Sequence, residues 1–402
     1  MLYLFSFIKS LHFFGSLAVP FYLQRLGFSY TQMFLMETVF SVCLFLFEVP
    51  TGVIADKCGR KFSIFLGCIL FGASFIVIGF TYSTVVFILA QIIGSLGMSM
   101  ISGADTALVY ENSKLRGKTD EQAAVVASRY NALGTAGSLI AMPLGSVFVS
   151  LFQKEGVSYS KYLQALGTTF WATGVALILS SFVILFVKEP PVSASVKEES
   201  AIKHAVDGFT AIFKNRTLFT FSLNYAIISG LTFLMFWFYQ SLLLENKFPV
   251  GVNGFISAGF NLSGMLLLLT TGFFMKTIGI SKTLFLSSII PGVLYVLVFV
   301  FPNSKAVILI AIFGITMLRF FRAPILTTLI NTQIANEDRA TVLSGVSMIE
   351  RIVISITYPL AGLLLDYASK YTYLVVGMII VVVSFLVRVK NVTIDKQITM
   401  EK

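Results

Sequence analysis

Charge is scarce in this sequence. Asp, Glu, Lys and Arg together make up 12% of the 402 residues, about half the ~25% of an ordinary soluble domain, and that excludes a solvated globular surface. Histidine is scarcer still, with only His12 and His204. No His-Glu-x-x-His pair is present, so no metal is expected. The cysteines are Cys43, Cys58 and Cys68; an odd number without paired spacing argues against both a disulfide framework and a metal site. There is no Gly-x-Ser-x-Gly nucleophile turn and no Gly-x-x-x-x-Gly-Lys phosphate loop. An enzyme and an ATP-driven pump are both disfavoured, and no cofactor is expected. No cleavable signal pattern interrupts the first apolar run, which reads as a retained helix.

What fills the chain is apolar, with 56% hydrophobic residues including 40 Phe. A helix needs roughly 20 apolar residues to cross a bilayer. On that basis spans fall near 2–24, 31–50, 62–80, 84–109, 122–150 and 164–187, then near 217–244, 251–274, 283–301, 305–330, 340–365 and 371–387. The expected fold class is an all-α polytopic membrane protein with 12 transmembrane helices. Its parts are an N-terminal bundle (1–187), a cytoplasmic linker (188–216), a C-terminal bundle (217–389) and a tail (390–402). With the N-terminus placed inside, inner segments hold 18 Lys and Arg and outer loops hold 6. That asymmetry puts both termini in the cytoplasm of a cell carrying the protein in its inner (plasma) membrane. The net charge of +10 is then a lipid-facing property rather than a sign of nucleic-acid binding.

The linker opens with Glu189-Pro190-Pro191, which stops a helix. It continues with Ile202, Val206, Phe209 and Phe213 at helical spacing, the pattern of an amphipathic helix on the membrane surface. The two halves echo each other: Gly52-x-x-x-Asp56-x-x-Gly59 returns as Gly272-x-x-x-Lys276-x-x-Gly279 after the second span of the second half, evidence of a duplicated six-helix unit.

Ionisable groups inside the spans mark function, since each costs about 2.5–3.5 kcal/mol to insert. Lys9, His12, Glu37, Asp105, Arg129, Arg319, Arg322, Glu350 and Arg351 fall in spans one, two, four, five, ten and eleven; spans three, six, nine and twelve carry none. Lys9, His12 and Ser16 share one face of a continuous first helix, and Arg319 and Arg322 share a face of span ten. Two readings stand side by side: a basic pocket for an anionic substrate, or ion pairs such as Arg319 or Arg351 with Glu350. Tyr225, Trp237 and Gln240 of span seven add aromatic and hydrogen-bonding groups suited to a partly apolar substrate. Glu350, Asp105 and Glu37 are the carboxylates whose charge can change in a proton-coupled cycle. Asp105 has Arg60 as an alternative partner.

Between spans two and three lies Gly52-x-x-x-Asp56-Lys57-x-Gly59-Arg60-Lys61. This motif, with twelve spans and a central loop, resembles the signature of the major facilitator superfamily. Glu48-Val-Pro-Thr-Gly, Ser102-Gly-Ala-Asp105 and Arg339-Ala-Thr-Val-Leu-Ser resemble a bacterial subgroup of exporters related to drug efflux. The resemblance implies two six-helix bundles around a central cavity, with first-helix-of-triplet residues lining it. It implies that the motif glycines allow close helix approach, that Asp56 faces the N-terminus of span eleven near Arg339, and that Arg60 meets Asp105 or Glu111. Gly134, Gly137, Pro143 and Gly145 resemble in part the Gly-Pro motif of the fifth helix in that family. The implied activity is secondary active transport by alternating access, most simply proton-coupled efflux of a drug-like or secondary metabolite, anionic in the finer reading. The alternative is an uptake symporter for an organic anion. A non-transporting receptor or a membrane-embedded enzyme is the alternative of another class. The expected partners are a small-molecule substrate, the proton and the lipid bilayer, with the chain acting as a monomer.

Overall fold

The computed structural model describes residues 1–189, 209–334 and 339–389, and every described element is helical or a turn. Ile202 and Val206 of the expected surface helix, and the tail, lie outside the described residues; Phe209 and Phe213 close a short helical stretch with rings 4.7 Å apart. The helices are α1 Leu2–Lys9, α2 Ala18–Pro20, α3 Tyr30–Cys58, α4 Arg60–Phe80, α5 Thr84–Ile101, α6 Ala104–Leu115, α7 Asp120–Ser150 and α8 Tyr159–Leu185. They continue as α9 Arg216–Phe233, α10 Met235–Glu245, α11 Asn253–Leu268, α12 Thr271–Thr277, α13 Ile280–Val300, α14 Lys305–Thr332 and α15 Arg339–Leu386.

Among the described residues, 10 helical stretches are long and apolar enough to span a membrane. Twelve were expected, and the difference has two causes. Spans eleven and twelve run together through Ala368, the one residue of α15 with non-helical backbone angles. The first span is broken. Its α-helix ends at Lys9, and regular structure resumes only at Ala18, passing into a π-helical turn at Phe21–Arg25. The expected common face of Lys9, His12 and Ser16 is therefore corrected: no helix connects them. Starts elsewhere follow local chemistry. Ser29 and Thr119 form capping boxes with Gln32 and Gln122, and Asn215 and Ser304 accept backbone N–H bonds at the heads of α9 and α14.

The chain folds into two units. The first comprises Met1–Ser200, Gln240–Gly259 and Tyr358–Asp366; the second comprises Ala201–Tyr239, Phe260–Thr357 and Tyr367–Lys402. In the first, α4 packs on α8 where Gly72 lies against the carbonyl of Gly174, so close that a Cβ would sit 2.6 Å from it. In the second, α13 meets the last span in the same way, with Gly292 against Gly377. Small residues let backbones approach where no hydrophobic force separates helix from lipid. The outward faces are apolar, with Leu179, Phe182, Val293 and Phe385 exposed. The spans that carry no ionisable group thus pack in pairs, three on six and nine on twelve.

Candidate functional site

The two glycine-marked turns come first, because they orient the charged helix ends. Gly59 joins α3 to α4 at φ 97°, ψ 147°, and Gly279 heads α13 at φ 82°, ψ 153°. Both angles belong to a region that is essentially restricted to glycine. The sequence repeat is therefore also a conformational repeat. Gly52 behaves differently: it is exposed, and a Cβ there would meet nothing within 4 Å. The expected close helix approach at Gly52 is absent within this unit. Around Gly59, Arg60 pairs with Glu111 at 2.6 Å. The Lys61 N–H donates to the Glu189 carboxylate at 3.0 Å, and the Lys61 ammonium donates to the Leu185 carbonyl. Glu189 thus places negative charge at the positive end of α4, a role its place after span six did not announce. Lys57 is exposed and Asp56 half-buried; the side chain of Arg339, the expected neighbour of Asp56, lies outside the described residues.

Asp105 goes to Lys9, not to Arg60. Lys9 Nζ stands 2.5 Å from Asp105 Oδ2 and donates to the Tyr130 hydroxyl at 3.2 Å, while that hydroxyl donates to Asp105 at 3.1 Å. Two residues read separately, one as substrate contact and one as coupling carboxylate, are halves of one ion pair. Tyr130 is 2% exposed and nothing in its spacing marked it. Glu37 accepts a 2.6 Å bond from the buried Tyr22 hydroxyl. His12 is half-buried, its ring 6.1 Å from Phe14, and it feels the charge of Lys9.

The break in span one is held by side chains far away in sequence. Ser138 donates to the Ser10 carbonyl at 2.9 Å, and the Phe13 N–H donates to Thr173 at 3.0 Å. Gln240, fully buried, accepts from the Val19 N–H at 2.9 Å and donates to the Gly15 carbonyl at 3.1 Å. Asn253 donates to the Ser16 carbonyl at 3.3 Å. Gly137 and Gly145 of α7 lie directly against the carbonyls of Phe7 and Phe13. Unwound backbone is tolerated at membrane depth only when protein satisfies it, and here it is satisfied. Both ends of the Gln240 amide are taken, which places it on backbone rather than facing a pocket. At the head of α3, Asp366 accepts from the Tyr30 and Thr31 N–H groups at 2.8 and 2.9 Å.

The second unit gathers the arginines. Arg322 on α14 is 0% exposed. Its Nη2 donates to Asn224 Oδ1 of α9 at 2.5 Å and to Ser288 Oγ of α13 at 3.0 Å. Its Nε and Nη1 meet no acceptor among the described residues. Asn224 is itself anchored, donating to the Val387 carbonyl at 2.8 Å. Arg319, one turn before Arg322, stacks over the Phe233 ring at 4.4 Å. Glu350 interacts electrostatically with Arg319 and Arg351, and Tyr225 with Glu350, Arg319 and Arg322. Arg319, Glu350, Arg351 and Tyr225 retain partial exposure. Trp237 is buried, edge-on to Phe236. Arg319 and Arg351 thus both act on Glu350, while Arg322, the innermost, is hydrogen-bonded to neutral groups alone among the described residues.

Residues 2–352 match the family model of the Major Facilitator Superfamily. No curated protein matches. Among solved structures, the nucleoside transporter NupG superposes with a TM-score of 0.78 at 16% identity, covering 96% of this chain and 97% of that one. A POT family transporter in complex with 5-aminolevulinic acid gives 0.74 at 11% identity, over 96% of this chain and 94% of its own. A bacterial homologue of the human lysosomal transporter Spinster, inward-facing and unoccupied, gives 0.72 at 14% identity, over 96% and 93%. At these identities the likeness is one of fold.

Proposed function

This chain belongs to the Major Facilitator Superfamily, and on that premise we propose that it is a secondary active transporter exporting a small anionic metabolite, drug-like or secondary in character, in exchange for protons. It sits in the plasma membrane with both termini cytoplasmic, a placement supported by the distribution of Lys and Arg. The observation that carries the anionic reading is Arg322, fully buried in the second unit with the neutral Asn224 and Ser288 as its hydrogen-bond partners and no carboxylate within 4.0 Å among the described residues. A buried guanidinium without a counter-charge is unfavourable by several kcal/mol. A carboxylate or phosphate on the substrate would supply that counter-charge through short, directional bonds. Arg319 and Tyr225 are the accessible members that meet substrate first.

Coupling is assigned to Glu350. Its charge is felt by Arg319 and Arg351, so a proton arriving on its carboxylate and an anion arriving at the arginines act on the same charge cluster. Asp105 is unsuited, because protonating it would dismantle the Lys9 pair. Alternating access is supported by the outer ends of the later spans. Gln240, Asn253 and Asp366 bond backbone of span one and α3 within the first unit, contacts that exposure to the outside would have to break.

The test uses proteoliposomes with an imposed pH gradient and a panel of anionic, neutral and cationic metabolites. Gradient-driven accumulation of an anion should be abolished by Glu350→Gln while substrate counterflow survives, and Arg319→Gln should remove both. Transport of cations or neutral compounds alone would overturn the anionic reading. The second reading, uptake of an organic anion by symport, draws on the same arginines and on the POT transporter that holds 5-aminolevulinic acid. Accumulation with protons moving in the same direction would establish it instead.

A further inference from the structure

A second basic site lies away from the arginines of the second unit, at the end of the first unit that carries the Gly59 turn. A cavity of about 470 Å³ opens between the start of α1, the end of α6, the α6–α7 turn and the end of α8. Four of its lining side chains are cationic, namely Arg116, Lys118, Arg129 and Lys188, and none is acidic. Its remaining wall is largely apolar and includes Leu2, Val126 and Phe186. Phe186 is 74% exposed, so the apolar side of the cavity continues onto the lipid-facing surface.

Two of the nearby acids are used elsewhere. Glu111 is taken by Arg60 at 2.6 Å, and Asp120 by Lys114 at 2.6 Å, both outside the cavity. Among the described residues, none of the four lining cations has a carboxylate within 4.0 Å. The site is also shaped by the fold rather than by loop drift. Asn112, buried, donates to the Lys188 carbonyl at 2.8 Å and ties the end of α8 to α6. A basic pocket with an apolar exit, at the ends of helices long and apolar enough to span a membrane, matches an amphiphile that carries a phosphate and acyl chains.

We propose that this cavity binds the headgroup of an anionic phospholipid from the leaflet on the side of the Gly59 turn, with its chains leaving past Phe186. Bound there, the lipid bridges α1, α6, α7 and α8 and stabilises the end of the first unit on which the Arg60–Glu111 pair sits. The site does not depend on the transported substrate, so the fate of the anionic-substrate reading leaves it untouched.

The experiment titrates phosphatidylglycerol, and phosphatidylcholine for comparison, into the full-length protein in neutral detergent. Thermal unfolding is followed, and retained lipid is counted by native mass spectrometry. Phosphatidylglycerol should raise the unfolding midpoint saturably and phosphatidylcholine should not. In the variant R116Q/K118Q/R129Q the titration midpoint should rise by about 100-fold, from three interactions each worth about fivefold. The charge-keeping variant R116K/R129K should restore it, and K154Q/K161Q, in the α7–α8 turn and the first turn of α8 at the other end, should leave it unchanged. Equal stabilisation by the two lipids would overturn the proposal. So would equal loss in the glutamine and lysine variants, which would reveal a folding defect. Saturable stabilisation by millimolar inorganic phosphate, matching that by phosphatidylglycerol, would make this a free-phosphate site and equally overturn the lipid assignment.

Discussion

The two units answer the problem of intramembrane charge in opposite ways. In the first, Lys9 and Asp105 neutralise each other at 2.5 Å with Tyr130 bonded to both. In the second, Arg322 is more deeply buried, yet its hydrogen-bond partners among the described residues are the neutral Asn224 and Ser288. The first arrangement is complete without a ligand and so reads as structure. The second leaves a buried guanidinium without a carboxylate among the described residues, the counter-charge that the proposed anion would supply. A membrane charge is informative about substrate in proportion to what its own protein leaves uncompensated.

That contrast can be broken most severely at Arg322. Arg322→Met should lower the affinity for a transported anion at least ~30-fold, since losing a buried charged partner costs about 2–5 kcal/mol. The ligand-free unfolding midpoint should stay level or rise, because an apolar side chain replaces an uncompensated charge. A ligand-free protein that unfolds several degrees earlier would show that Arg322 is structural and erase the difference between the units.

Lys9 should respond with the opposite sign. Lys9→Met leaves Asp105 alone in a largely buried place, with side-chain exposures of 19% and 11% for the pair. Stability should fall by about 2–3 kcal/mol, somewhat below the 3–5 kcal/mol of a fully buried pair because Lys9 keeps some solvent. The double variant K9M/D105L should recover most of the loss in a double-mutant cycle on unfolding midpoints. Failure to recover would mean the pair does more than compensate charge.

The smallest effects sharpen the comparison between the motif glycines. Gly59→Ala forces a Cβ into glycine-only backbone, 3.1 Å from the Glu189 carboxylate, and should cost about 2 kcal/mol. Gly52→Ala, with open space around it, should cost nothing in the folded unit and gain up to about 1 kcal/mol from helix propensity. Thermal unfolding of the two variants side by side would reverse the assignment if Gly52 proved the more sensitive.

Membrane character, the helical class, the spans without charge and the repeated glycine motif were legible from residues alone. Each is a local property: hydrophobic length, the absence of charge along a span, or a backbone angle that only one residue type adopts. Partnerships were not. Arg60 had two acids within reach in sequence, and only packing decided that Glu111 takes it and Asp105 turns to Lys9. The break in span one was invisible, because residues 10–17 contain no proline and continue an apolar run. Its freed backbone groups are satisfied by Ser138, Thr173, Gln240 and Asn253, which lie more than 120 residues away. Gln240 was read as a substrate contact for the same reason: a polar group in an apolar helix announces that it needs a partner, but not which one. The sequence alone thus determined which segments enter the membrane and which of them carry charge. The tertiary structure decided which charges meet a partner of opposite sign, because that depends on distances between helices that no single span encodes.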